Sequence, residues 1–239
     1  MSVSKDEQKV LAAKTAVDTL IEEGKIFSGM KIGLGTGSTA MPAVKRLAER
    51  IGDGTLKDIK AVVTSFQTQL ACEEYGIPVY TLNDKVIAGK LDLAIDGADE
   101  IDQKNNLIKG GGAALLREKI VEYNAAYLAI VADETKNVET LGTKFPLPVE
   151  IIAEARIPVI QELEKLGARC VLREGVKKAG PVITDNGNMI VDCTWAAPVD
   201  PAVMEEKIDD ITGVVECGFF TKNKPSVFIA KADGSVERR

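Results

Sequence analysis

The sequence predicts an α/β fold: a Rossmann-like, mostly parallel sheet sandwiched by helices, with a second, smaller α+β domain. Three observations predict it. Short apolar runs alternate with helical patterns as far as Val131, and a glycine-rich turn follows the first of those runs. After Val131 the texture changes to prolines and closely spaced strand-like segments.

Taken in order, a helical stretch runs from about Lys5 to Glu23, and the apolar run Met30-Lys-Ile-Gly-Leu34 is the first strand. Further strands are expected at Ile59–Thr64, Val79–Leu82, Leu91–Ile95 and Tyr127–Val131, with helices between them at Ala40–Ile51, Gln67–Tyr75 and Ala113–Asn124. This βαβ rhythm builds a parallel sheet covered on both faces. Beyond it, Lys144-Phe-Pro-Leu-Pro148 brings two prolines, followed by a helix near Glu154–Leu166 and strands near Arg169–Leu172 and Met189–Cys193. Asp185-Asn-Gly-Asn188 separates Pro181-Val-Ile-Thr184 from Met189-Ile-Val-Asp192 as a hairpin turn would. Two late strands are expected at Gly213–Phe219 and Ser226–Ala230, the last returning to the first sheet. The expected division is 1–146 plus about 222–239 for the Rossmann-like domain and about 147–221 for the small domain, a lid or an assembly element.

At 239 residues the chain can bury a sizeable core. Its formal charge of −6 argues against a nucleic-acid surface, which needs clustered Lys and Arg. A phosphorylated ligand must therefore meet a local group of positive charges. No apolar run is long enough to span a membrane and the N-terminal residues lack the apolar core of a signal peptide, so a soluble, cytoplasmic protein is expected. Cys72, Cys170, Cys193 and Cys217 are scattered with no C-x-x-C pair and read as buried free thiols. There is no histidine. Proton transfer therefore falls to carboxylates, lysines, tyrosines or thiols, and serine–histidine triads and histidine-ligated metals are excluded.

Three motifs carry the chemistry. Gly33-Leu-Gly-Thr-Gly-Ser-Thr39 links a strand to a helix and suits a phosphate, but it is neither the dinucleotide fingerprint nor a Walker loop. Asp96-Gly-Ala-Asp-Glu100 also follows a strand, so two strand-end loops converge; its carboxylates suit sugar hydroxyls, proton transfer, a divalent metal or a plain turn. Leu107-Ile-Lys-Gly-Gly-Gly-Ala-Ala-Leu-Leu-Arg-Glu-Lys119 joins a lysine and three glycines to a helix, equipment for holding an anion. On the helical wheel Ala113, Ala114, Leu116, Ile120 and Val121 form an apolar arc, with Arg117 inside it and Glu118 at its edge. There a carboxylate is half-buried and a stronger base, or else an ordinary surface residue paired one turn away.

In this order and spacing, Gly35-Thr-Gly-Ser-Thr39, Asp96-Gly-Ala-Asp-Glu100 and Lys109–Lys119 resemble the ribose-5-phosphate isomerases of the A type. Lys144-Phe-Pro-Leu-Pro-Val-Glu150 and Thr184-Asp-Asn-Gly-Asn188 fit the same pattern, so the resemblance covers nearly the whole chain. It implies reversible interconversion of D-ribose 5-phosphate and D-ribulose 5-phosphate in the non-oxidative pentose phosphate pathway. It also implies that no metal or nucleotide cofactor is used, and that the enzyme is a homodimer or homotetramer. Glu118 then matches the catalytic proton acceptor, with Lys109, Asp96 and Asp99 beside it. Substrate binding is implied for Thr36, Gly37, Ser38 and Thr39, for Asp96, Gly97, Ala98 and Asp99, for Lys109, Gly110, Gly111 and Gly112, and for Lys144. In chemical terms Lys109 and the glycine amides are the expected oxyanion donors, the aspartates hold hydroxyls and help open the furanose ring, and Ser38 and Thr39 hold the phosphate. A non-catalytic sugar-phosphate sensor and a coenzyme A transferase with a covalent glutamate are the readings from other classes.

Overall fold

The structure is a computed structural model that describes residues 2–239. In chain order the helices are α1 (Lys5–Glu22), α2 (Met41–Gly52), α3 (Phe66–Tyr75), α4 (Leu115–Tyr123), α5 (Arg156–Lys165) and α6 (Pro201–Asp209). The strands begin with β1 (Lys31–Leu34), β2 (Lys60–Val63), β3 (Val79–Tyr80), β4 (Leu93–Asp96), β5 (Glu100–Ile101), β6 (Leu107–Ile108) and β7 (Leu128–Asp133). They continue with β8 (Leu147–Ile151), β9 (Arg169–Leu172), β10 (Met189–Thr194), β11 (Val214–Cys217), β12 (Phe219–Phe220), β13 (Ser226–Ala230) and β14 (Val236–Arg238). The chain divides into two compact units. The first comprises the residues up to Gly97, Arg117–Asn137 and Asn223–Arg239, and the second Ala98–Leu116 and Val138–Lys222. The sequence reading put residues 98–116 and 138–146 in the larger part; their packing groups them with the second unit.

The first unit is built on a seven-stranded sheet of order β14-β13-β7-β4-β1-β2-β3. All neighbouring pairs run parallel except β13 and β14. Such a sheet is covered on both faces, which is why β7, Leu-Ala-Ile-Val-Ala-Asp, is buried at every position. Helix α1 starts in a capping box, the Glu7 amide donating to the Ser4 hydroxyl while the Ser4 amide donates to the Glu7 carboxylate at 2.8 Å. Its small side chains Ala12, Ala13 and Ala16 join Ile32, Leu93, Val131 and Phe228 in the core. Strand order runs outward in opposite directions from β1 and β4, so the carboxyl ends of these two strands are the topological switch point, where open α/β sheets bind ligands. As expected, Ser226–Ala230 returns to this sheet beside β7.

The second unit carries a four-stranded antiparallel sheet, β11-β8-β10-β9, and a three-stranded one, β12-β6-β5. Helices α5 and α6 bury Val159, Leu163, Met204 and Ile208 with Val149, Val191 and Cys217. Two expectations need correction. No strand was expected between Lys144-Phe-Pro-Leu-Pro148 and the helix near Glu154, yet Leu147–Ile151 is a fully buried inner strand. Pro148 is tolerated near the strand's start, where its missing N–H costs little and its carbonyl still accepts from the Gly218 amide at 2.8 Å. The turn after Thr184 does close, its amide donating to the Asn188 carbonyl at 2.9 Å, but Ile183–Met189 is an isolated bridge. The ladder partners of β10 are β8 and β9.

Candidate active site

In the first unit the residues after β1 and β4 form one group. The Gly35 amide donates to the Ile95 carbonyl at 3.0 Å, drawing the two strand ends together. Asp96 is buried, and its Oδ1 accepts from the amides of Thr36 at 3.1 Å and Gly97 at 2.7 Å. A Cβ on Gly35 would lie 1.9 Å from the Asp96 carboxyl carbon, so only glycine lets this carboxylate lie on the turn. Thr39 is buried and Ser38 exposed just ahead of α2, whose N-cap, Ala40, offers no side-chain cap. That leaves a helix N-terminus, with its dipole, facing the loop.

A hydroxyl network stands behind this loop. Thr36 Oγ1 lies 2.6 Å from Thr64 Oγ1 and donates to Ser65 Oγ at 2.7 Å, and Thr68 Oγ1 donates to the Gly35 carbonyl at 2.6 Å. The Gly37 amide donates to Gln67 Oε1 at 2.9 Å. The sequence analysis did not single out Thr64, Ser65, Gln67 and Thr68. The available signal was position, because Thr64-Ser-Phe-Gln-Thr68 follows β2 and opens α3 just as the glycine loop follows β1.

Helix α4 places Glu118. It packs so close to β1 that a Cβ on Gly33 would lie 2.5 Å from Val121 Cγ1. Its buried face overlaps the arc drawn from the apolar pattern only in part: Ala114, Val121 and, at the arc's edge, Glu118 (5% exposed) are buried, whereas Ile120 is 44% exposed and Lys119 and Glu122 (0% exposed) are buried in its place. Leu115, Glu118, Lys119 and Glu122 share a stripe of helical spacing, so the buried face is turned from the apolar arc toward these charged residues. Arg117 instead stacks its guanidinium 5.1 Å from the centre of the Phe66 ring. A carboxylate enclosed on a packed helix is the setting in which a general base is made.

In the second unit the aspartate that follows Ala98 is joined to the glycine run. The Asp99 amide donates to the Ile108 carbonyl at 2.8 Å, and its Oδ2 accepts from the Gly111 amide at 2.7 Å. A Cβ on Gly111 would lie 2.7 Å from Asp99 Oδ1. The Gly111 amide, expected among the oxyanion donors, thus holds the aspartate. Gly110 has φ +101 and Ala113 φ +58, which turn the chain through Gly112 into α4. Lys109 is only 2% exposed, its amide donating to the Gly218 carbonyl at 2.9 Å and its Nζ lying 5.6 Å from the centre of the Phe220 ring. A cation kept this dry acts strongly on any anion near it.

Two further carboxylates organise this unit. Glu100, in the quoted motif but without an assigned role, is buried on β5 and receives the amides of Gly142 and Lys144 at 2.5 Å and Phe145 at 2.8 Å, fixing the loop that carries Lys144. Glu150 on β8 accepts at Oε1 from Thr184 Oγ1, Asn186 Nδ2 and Asn188 Nδ2 at 2.8, 3.0 and 2.9 Å. Glu150 thus ties the turn Thr184–Asn188 to β8 in one polar network. Among the described residues one group has metal-ligating potential, Asp209, Glu216 and Cys217, and it contains none of the residues named for the site.

The profile of ribose 5-phosphate isomerase A (phosphoriboisomerase A) matches residues 60–234. The chain belongs to this family. It is 59% identical over 239 residues to the ribose-5-phosphate isomerase A of Treponema denticola, covering 99% of both chains. Its identity to that of Treponema pallidum subsp. pallidum is 56% over 234 residues, covering 97% of this chain and 92% of that one. A D-ribose-5-phosphate isomerase solved in complex with phospho-erythronic acid superposes with a TM-score of 0.91 at 41% identity, covering 99% of both chains. The ribose 5-phosphate isomerase A of Methanocaldococcus jannaschii gives 0.90 at 41% identity and the same coverage. The family accounts for the α/β fold and makes the protein an isomerase.

Proposed function

We propose that Glu118 is the base that carries the proton between carbons 1 and 2 as this isomerase interconverts D-ribose 5-phosphate and D-ribulose 5-phosphate. The observation that carries this reading is the near-complete burial of Glu118 on a helix face that a surface carboxylate would not occupy. With no histidine in the chain, another side chain does the work for which imidazole is the commonest choice, and in this reading it is this buried carboxylate.

The reaction removes the proton from the carbon next to the carbonyl of the open-chain sugar, passes through an enediolate, and returns a proton to the neighbouring carbon. One carboxylate serves both transfers. A positioned base contributes about 10²–10⁴ in rate, and a single good oxyanion donor roughly 10²–10³. Lys109 is the main donor in this reading, assisted by the backbone of Gly110 and Gly112, while Gly111 anchors Asp99. Asp96 and Asp99 hold hydroxyls and assist ring opening. Ser38 and Thr39, at the start of α2, take the phosphate together with Lys144. Thr36, Gly37, Gly97 and Ala98 belong to the substrate-binding loops in the same reading. The relative's ligand, phospho-erythronic acid, fits this scheme in kind, because its planar, negatively charged carboxylate resembles the planar enediolate, whose two oxygens sit on adjacent carbons.

The pathway context is the non-oxidative branch of pentose phosphate metabolism, without metal or nucleotide. A cytoplasmic location is consistent with the finding that no helix among the described residues is long and apolar enough to cross a membrane. Assembly as a homodimer or homotetramer belongs to the same reading, and Val171, Ile183 and Val203 are exposed apolar side chains of the second unit available for it. A coupled assay for ribulose 5-phosphate tests the whole. The parent should turn over ribose 5-phosphate with a chelator present, and Glu118→Gln should lower kcat by about 10²–10⁴ with little change in KM. A variant that keeps the parent rate removes Glu118 from the role.

A further inference from the structure

We propose that Arg173, clamped by Asp192, is a positioning residue for the isomerisation, acting through the Gly110–Gly111 peptide on Asp99. This rests on the reading of Asp99 as a substrate-handling carboxylate. The guanidinium of Arg173, next after β9, binds Asp192 of β10 in a fork, Nε to Oδ2 at 2.8 Å and Nη2 to Oδ1 at 2.5 Å. Its remaining terminal nitrogen, Nη1, donates to the carbonyls of Gly110 at 2.9 Å and Gly111 at 3.1 Å. Both side chains are mostly buried, at 15% and 20% exposure, so the pair is little screened. Arginine is suited to this work because its planar fork satisfies a carboxylate and leaves a second, fixed pair of donors.

The consequence follows from peptide geometry. No peptide among the described residues is cis, so carbonyl and amide leave each peptide in opposite directions. The Gly110–Gly111 peptide is then gripped at both edges: Arg173 holds its carbonyl, and its amide, that of Gly111, donates to Asp99 at 2.7 Å. The next peptide has its Gly111 carbonyl on the same guanidinium, which turns the Gly112 amide away from Arg173. Two glycine peptides with broad conformational freedom are thereby held in one orientation. Glycine is required here for close approach, and Arg173 supplies the rigidity that glycine lacks. Asp192 keeps the guanidinium from swinging off the carbonyls. None of the sequence motifs points to either residue, because Arg173 lies 62 positions from Gly111.

The test uses the full chain and the coupled isomerase assay, with Arg173→Ala, Arg173→Lys and Asp192→Asn. Arg173→Ala should lose about 10²-fold in kcat/KM, the cost typical of a site group displaced by about an ångström. Lysine should recover little of it, having no fork, and Asp192→Asn should lose less than Arg173→Ala. Low, non-denaturing guanidinium should restore part of the Arg173→Ala rate and none of the Asp99→Asn rate, a response that a purely structural role would not give. Arg173→Ala and Asp99→Asn should also combine with less than the product of their separate losses. A folded Arg173→Ala protein with parental kinetics would overturn the proposal. So would a loss that guanidinium leaves untouched and that multiplies fully with that of Asp99→Asn. If the parent itself failed to isomerise ribose 5-phosphate, the proposed function would fall instead, so the two failures are distinct.

Discussion

Asp96, which ends β4, and Asp99, three residues on, each lie against a glycine backbone, yet they are held by different means. Asp96 is fixed locally, at the end of a central parallel strand, by amides of its own loop and of the loop after β1. Its glycine seat is absolute, because a methyl group on Gly35 has nowhere to go. Asp99 is fixed remotely: its amide partner Gly111 belongs to a turn whose carbonyls are tied to Arg173 in the antiparallel part of the chain. The comparison teaches that a parallel sheet positions a carboxylate through its own strand ends, whereas a loop between short strands has to borrow rigidity from side chains far away in sequence.

The largest way to break this difference is Gly35→Ala. The added Cβ would overlap Asp96 at 1.9 Å, so the carboxylate must leave its amide partners, and kcat/KM should drop by more than about 10²-fold, measured with the melting temperature as a check on folding. Gly111→Ala is the matched change on the other aspartate. There the nearest atom, at 2.7 Å, is the tip of a side chain that can shift, so a loss nearer 10-fold is expected. Equal losses in the two variants would erase the distinction drawn here.

A smaller effect is expected from Glu100→Gln. The buried carboxylate receives three amides from the Lys144 loop, and charge-assisted hydrogen bonds of this kind are worth about 1.5–3 kcal/mol in total stabilisation each at most. The amide side chain keeps the shape and loses the charge, so KM for ribose 5-phosphate should rise several-fold, roughly 3–10, with kcat changed less. Unchanged KM would detach Lys144 from phosphate binding.

The smallest effect sharpens the comparison without touching the site. Burial, with Glu73 alongside, pushes the Cys72 thiol up to about 11, and Cys72 sits on α3 behind the first loop. The Cys170 thiol is held below its usual value by the hydrogen bond with Cys193, 3.8 Å away, which burial only partly offsets. At pH 8 a thiol reagent should label Cys170 first and leave Cys72 untouched while the protein is folded, read by mass spectrometry of digested protein. Because the folded state raises the Cys72 value above the ordinary 9.0, the stability tied to its neutral thiol is complete below pH 9 and declines as pH rises toward 11. Early labelling of Cys72 would mean that α3 opens more readily than its packing implies.

Much of this was legible in the sequence. The βαβ alternation located every strand of the first sheet except β14, since buried parallel strands announce themselves as apolar runs. The glycine loop, the Asp-Gly-Ala-Asp-Glu loop and the Lys109–Lys119 segment were also visible, because strand ends and glycines mark where a ligand meets backbone. What stayed hidden has a common cause. β5 and β6 are two residues each and lie within glycine- and asparagine-rich loops, with none of the βαβ rhythm that marked the equally short β3. The buried charges of α4 invert the usual rule that charge faces solvent, so the wheel chose Ile120 over Glu122. Glu100, Arg173 and Asp192 act through backbone groups distant in the chain, and a pattern of residue types carries no trace of such a partnership.

The central claim is that Glu118 moves the proton, and solvent isotope incorporation tests it most directly. In heavy water the parent protein should place deuterium on the sugar carbons that exchange their proton, followed by proton NMR of ribose 5-phosphate and its product. Glu118→Gln should slow both incorporation and isomerisation by at least about 10²-fold together. A variant that still incorporates deuterium at the parent rate would show that another group is the base, and would contradict the account.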